Sequence, residues 1–272
     1  MKANFIALKI TFIFLYLINI KILNANDDFE NKYHTTVVLK SGVAFYSSGT
    51  TFFDIYKNIL GGTKSSYEIA PYFGLDIRVQ FHKLWRLALN TDLTFTNIRD
   101  SYFQEFQFFS SKSSRYISQD LSIKSFPVTL ILEYTPFWLN QFKTYFGIGA
   151  GLNIIHIIWN ENINSSIIYD LRKTGNKYNK INLHPVINIY SAVDLGFDKK
   201  TLENFIAGIT LKLSYTNIFS KIDMFEKIRN EFENVNEKLY QDVLPYEGFI
   251  SLTLSLNLNF KQKQKNKPFN KG

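Results

Sequence analysis

Large apolar side chains recur at every second position through eight stretches of this chain, with small, polar or charged residues between them. The last is the most regular. In "FISLTLSLNLNF", Ile250, Leu252, Leu254, Leu256, Leu258 and Phe260 share one parity, and Ser251, Thr253, Ser255, Asn257 and Asn259 share the other. Period-two alternation is the mark of a β-strand with one face in an apolar medium and one in a polar medium. The other seven run from about Thr35 to Ser48, Tyr67 to Phe81, Trp85 to Asn97, Leu121 to Tyr134, Thr144 to Trp159, Pro185 to Phe197 and Phe205 to Asn217. The connections after strands two, four and six are short (His82 to Leu84, Thr135 to Lys143, Asp198 to Asn204), and those after one, three, five and seven are long. Short turns at one end and long loops at the other are the plan of a membrane β-barrel, and an even strand number puts both termini at the short-turn end.

Size decides which way the apolar parity points. An eight-stranded barrel has an interior just wide enough for its own side chains, and roughly forty large aliphatic and aromatic groups would overfill it. The Gly, Ala, Ser, Thr and Asn parity fits inside, as "GIGAG" (Gly147 to Gly151) illustrates. The apolar parity then faces out, where water would meet a very large apolar patch and lipid would not be penalised. The sequence thus predicts an all-β fold: an eight-stranded antiparallel up-and-down transmembrane β-barrel with partly helical extracellular loops. Lys40, Arg78, Arg86 and Lys212 share the inward parity with Glu68, Asp76, Asp92, Glu133 and Asp194, which predicts a salt-bridged plug in the lumen rather than an open channel. Trp85, Phe81, Tyr134, Trp138, Tyr145, Trp159, Phe197, Phe205 and Phe260 are expected in the interface girdles.

The amino terminus adds an address. Lys2 and Lys9 precede the apolar run Ile10 to Ile20, and a small residue at Ala25 precedes a polar start, which reads as a signal peptide over residues 1–25. The run is short for a spanning helix. The expected organisation is a leader (1–25), a barrel (26–260) and a Lys-rich periplasmic tail (261–272). The formal charge of +8 dissolves on inspection, because Lys2, Lys9 and Lys21 lie in the leader and Lys261, Lys263, Lys265, Lys267 and Lys271 in the tail. The body is about neutral, so no nucleic-acid partner is expected.

With the strands placed, "FPVTLILEYTP" (Phe126 to Pro136) and "YFGIGAGL" (Tyr145 to Leu152) resemble the Pro-containing fourth strand and Tyr-x-Gly-x-Gly fifth strand of small outer-membrane β-barrel proteins, including the PorT-like group. The final strand ending on Phe260 is similar to the carboxy-terminal assembly signal of such barrels. The resemblance implies residence in the outer membrane of a Gram-negative cell, with membrane lipid and the barrel assembly machinery as partners.

Chemistry is harder to find. The chain has no Cys, and His34, His82, His156 and His184 are scattered without metal-ligand spacing. A Ser/His/acid site built on His156 or His184 is conceivable, but interface histidines are the expectation, so neither enzyme activity nor a cofactor is predicted. Function should sit in the long loops. Residues Lys221 to Tyr240 place Ile222, Phe225, Ile228, Phe232, Val235 and Leu239 at three- and four-residue steps, an amphipathic helix that could cap the mouth or dock an extracellular protein or ligand. Phe52 to Leu60 reads as a shorter helix. The expected role is structural or surface-interactive; the alternative is a transporter or narrow channel for a small hydrophobic solute.

Overall fold

The computed structural model describes residues 34–47, 50–58, 62–82, 84–108, 111–139, 142–165, 175, 177–196, 206–219 and 247–260. The leader, the tail and the helical pattern at Lys221 to Tyr240 lie outside these residues. The elements in chain order are β1 (His34–Ser47), α1 (Thr50–Asn58), β2 (Ala70–Gln80), β3 (Trp85–Phe108), β4 (Ser111–Leu139), β5 (Phe142–Ser165), β6 (Lys177–Gly196), β7 (Ile206–Ile218) and β8 (Gly248–Phe260).

Every strand pairs antiparallel with the next, and β8 returns to β1, closing the ring. Closure leaves no bare sheet edge where the ring is complete, so its backbone groups are satisfied within the wall, as a hydrocarbon environment requires. Outward residues form an exposed apolar belt that includes Leu39, Phe73, Leu89, Leu130, Ile148, Ile189, Leu213 and Leu254. The eight predicted strands and their inward and outward parity are therefore present.

Strand length departs from expectation. β1, β2, β7 and β8 have 11 to 14 residues, close to the ~9–11 that span a bilayer. β3, β4, β5 and β6 have 24, 29, 24 and 20. What reads as a long loop after the third strand is instead a continuation of the β3–β4 ladder to Phe108↔Ser111, and β5 and β6 continue to Asn160↔Lys177. One side of the barrel thus stands as a four-stranded wall beyond the belt, at the end opposite the termini.

The interior also changes character along the axis. In the half nearer the termini it is polar and charged. Beyond mid-barrel, Ile98, Leu121, Ile123, Ile155, Ile157, Trp159, Val186 and Ile218 point inward and are buried. An apolar vestibule open to water would be unstable. It is filled by α1, whose Phe52, Phe53 and Tyr56 are buried in the same cluster, with Tyr67 packed against it. The Tyr67 ring stacks on Phe52 at 6.2 Å and meets Phe53 edge-on at 5.2 Å. Trp159 and Tyr145, expected in the girdles, are buried inside instead, Trp159 against the plug and Tyr145 among the charges.

Candidate functional site: a lumen closed at two levels

Alternation along six strands aims eight charged side chains at one another. Lys40 enters from β1, Asp76 and Arg78 from β2, Arg86 and Asp92 from β3, Glu133 from β4, Asp194 from β6 and Lys212 from β7. Lys40 Nζ lies 2.5 Å from Asp76 Oδ1, donates to Asn90 Oδ1 at 2.7 Å and also pairs with Asp92. The Arg78 guanidinium bridges Asp76 at 3.3 Å, Glu133 at 3.1 Å and Asp194 at 3.8 Å. Arg86 holds the other Glu133 oxygen at 2.7 Å and Asp194 at 3.4 Å. Lys212 Nζ lies 3.8 Å from Asp76 Oδ2 and 3.8 Å from the centre of the Tyr190 ring.

Four cations thus face four carboxylates, and the set is neutral. Buried ions cost several kcal/mol each unless they are paired and hydrogen-bonded. Here they are paired, and aromatic rings supply the rest. Tyr145 lies under both guanidinium groups, at 4.2 Å from Arg86 and 4.9 Å from Arg78. The Tyr190 hydroxyl donates to Glu133, and the Thr210 hydroxyl donates to Asp194. Gly147 makes room for this layer, since a Cβ there would fall 2.3 Å from the Tyr190 ring. Of the nine charges assigned to the lumen from sequence, Glu68 is the exception. It precedes β2, is exposed, and contributes only its backbone carbonyl, which accepts from the Thr96 hydroxyl at 3.0 Å.

The second closure is α1 and its latch, a polar chain that sequence reasoning did not single out. Trp159 Nε1 donates to Gln119 Oε1 at 3.1 Å, Gln119 Nε2 donates to the Tyr56 hydroxyl at 2.6 Å, and that hydroxyl donates to Asp100 Oδ2 at 2.8 Å. Asp100 also accepts from the Thr63 amide at 2.7 Å, the Thr63 hydroxyl at 2.6 Å and the Lys64 amide at 3.3 Å. One carboxylate on the standing wall therefore holds both the last turn of α1 and the segment that follows it.

Asp100 lies beyond the belt, and its titration is informative. Burial alone would raise its pKa, but the hydrogen bonds from Thr63, Tyr56 and Lys64 outweigh burial and hold the carboxyl below the ordinary aspartate range. The stabilisation is complete above the unfolded-state value near ~4 and is lost as pH falls through the lower folded value. In a variant keeping Trp159 as its one tryptophan, indole fluorescence should therefore be constant above about pH 5 and shift below about pH 4. Asp100→Asn should show the shifted emission at neutral pH. Identical emission from the two proteins at all pH values would remove the latch.

The histidines do not converge. His156 faces outward with its Nε2 2.8 Å from Asn179 Oδ1, whereas His184 is buried on the inward parity. The His82 ring accepts the Leu84 amide at 3.2 Å in the β2–β3 turn. Among the described residues no cluster of His, Asp or Glu is arranged to hold a metal ion. A shallow groove of about 620 Å³ lies beside the latch, bounded by Thr63 and Lys64 together with Arg99, Ser101, Tyr116, Ser118, Asp120 and Asn162 of the standing wall.

Solved structures similar to this chain are β-barrel proteins. Neisserial surface protein A is 12% identical, with 85% of this chain and 97% of that one covered and a TM-score of 0.38. Ail, the attachment invasion locus protein of Yersinia pestis, is 10% identical, with 85% and 100% covered and a TM-score of 0.35. The N-terminal β-barrel domain of Pseudomonas aeruginosa OprF is 14% identical, with 84% and 100% covered and a TM-score of 0.33. No family model and no curated protein matches the chain, so the PorT-like resemblance rests on its motifs alone.

Proposed function

We propose that this chain is a closed outer-membrane barrel that acts at the cell surface by interaction, and that it neither conducts solutes nor catalyses a reaction. The observation that carries the reading is the double closure of the lumen, by a neutral charge network in one half and by α1 in the other. A water-filled pore needs a continuous polar path, and this lumen has an apolar, occupied vestibule in series with a paired ionic layer. The termini and short turns face the periplasm, so α1 and the standing wall face outward. We further propose that the sequence segment with Ile222, Phe225, Ile228, Phe232, Val235 and Leu239 at helical spacing, which lies outside the described residues, supplies a docking surface for an extracellular partner. Insertion by the barrel assembly machinery, reading the strand that ends on Phe260, completes the proposal.

Planar-bilayer recording of the refolded full-length protein is the direct test. The expected trace is flat, and a stable ohmic conductance would overturn the closed-lumen reading. Cross-linking from residues 221–240 in intact cells tests the docking surface, and the absence of any adduct there would remove it. The apolar vestibule supports the second reading, uptake of a small hydrophobic solute, which requires α1 to leave the lumen. Covalently tethering Phe53→Cys to Ile157→Cys would abolish such uptake.

A further inference from the structure

The groove beside the latch, at about 620 Å³, falls within the roughly 300–1,000 Å³ of small-molecule sites. Its lining is shared with the latch. In the β3–β4 register Arg99 pairs with Asp120, Asp100 with Gln119 and Ser101 with Ser118. The middle rung holds the Tyr56 hydroxyl, and the rungs on either side carry polar side chains that the latch does not use. Thr63 and Lys64 also bound the groove, and they stand there because they donate to Asp100. The same segment is tied to α1, since the Gly62 amide donates to the Tyr56 carbonyl at 2.9 Å.

The groove offers hydroxyls, the Asn162 amide, an exposed ion pair and one large ring, that of Tyr116. Among the described residues its charges cancel, Lys64 and Arg99 against Asp100 and Asp120. A sulfated or phosphorylated ligand calls for an excess of cations, and a peptide for apolar anchor pockets. The described lining provides neither. Asp120 Oδ1 has no hydrogen-bond partner among the described residues, so it keeps an acceptor for a ligand hydroxyl once the exposed Arg99 turns aside. Mixed donors and acceptors beside a half-exposed ring suit a neutral sugar, because each of its hydroxyls both donates and accepts. We propose that this groove binds a soluble neutral oligosaccharide, and that binding locks α1 in the lumen. The lock follows from the lining. When α1 lifts, the segment tied to it leaves Asp100, and the groove loses Thr63 and Lys64 from its boundary. The sugar therefore binds the closed state more tightly, and it stabilises that state by the difference. The proposal rests on the closed, surface-acting reading and names the class of partner for it.

The test presents full-length protein in phosphatidylcholine nanodiscs to an array of neutral, sialylated and sulfated oligosaccharides. Signal should be confined to neutral members. For the best-bound of these, Tyr116→Ala combined with Asn162→Ala should weaken affinity about tenfold, the loss of one ring contact and one hydrogen bond. Both side chains are exposed, so the variant should fold, which heat-modifiable gel mobility checks. The lock has its own readout. The chain has no Cys, so Phe53→Cys places a single thiol at a buried position of α1, to be labelled by a water-soluble maleimide only when α1 lifts. Saturating neutral glycan should slow that labelling about fivefold or more. Signal from sulfated or sialylated members alone, no signal from any neutral member, or unchanged affinity in the double variant would overturn the sugar site. Labelling that saturating glycan does not slow would overturn the lock. A thiol labelled at once without glycan would instead sink the closed lumen, and the lock with it.

Discussion

Replacing Asp76 by asparagine is expected to destabilise the barrel by about 3–5 kcal/mol, the usual cost of leaving a buried charge uncompensated. Asp76 is fully buried and answers three cations: Lys40 at 2.5 Å, Arg78 at 3.3 Å and Lys212 at 3.8 Å. The neutral amide would leave four cations facing three carboxylates with no solvent to screen them. A lowered urea midpoint for refolding into phospholipid vesicles is the measurement. Adding Lys212→Met to Asp76→Asn should recover a large part of the loss, because charge balance returns and the methionine fills the space. An unchanged midpoint in the single variant would mean that water screens these ions, and the closed lumen would be wrong.

Leu130→Arg is the second large effect, at about 2–4 kcal/mol for a cation placed on the lipid face near the bilayer midplane. Leu130 is 54% exposed, in mid-β4, with Leu89 and Ala150 as its cross-strand partners. In a water-soluble lipid-binding barrel the same position would face solvent, and an arginine would be tolerated within about 0.5 kcal/mol. One substitution therefore separates the two media that could surround the belt. Wild-type stability in Leu130→Arg would argue for the soluble alternative.

The strand plan was legible because period-two alternation is set by the pleat, and nothing later in the chain overrides it. The standing wall was not, for a reason visible in β5. Ile154 faces out, and the inward positions after it are Ile155, Ile157 and Trp159. Apolar residues change parity where the outer medium changes from lipid to water and the inner one from polar side chains to the α1 plug. The same inversion separates Phe95 from Ile98 and Ile123 from Phe126. Read as a loss of alternation, it ends the strand; read as a shift by one, it marks the membrane border. Trp159 and Tyr145 lie inside rather than in the girdles because an aromatic near a strand end fits a girdle and a lumen equally well by position. Glu68 falls on the inward parity only when the strand is begun at Tyr67, whereas β2 starts at Ala70. The lumen charges were found by parity alone, whereas the Asp100 latch needs the fold of the β1–β2 connection, which no periodicity reports.

The seam between β1 and β8 has a kinetic consequence. Seven of the eight strand pairings join neighbours in sequence and can form as successive hairpins. The eighth joins Thr35 to Phe260 and Ser47 to Gly248, partners more than 200 residues apart. Its ladder is also tight, since a Cβ on Gly42 would fall 2.1 Å from the Leu252 carbonyl oxygen. Contacts of that sequence separation form slowly, because the whole intervening chain must be ordered first. Until they form, the sheet carries two bare edges that hydrocarbon does not tolerate and that invite pairing with other chains. Ring closure and burial in the bilayer are thus one cooperative event, timed by the arrival of the last strand.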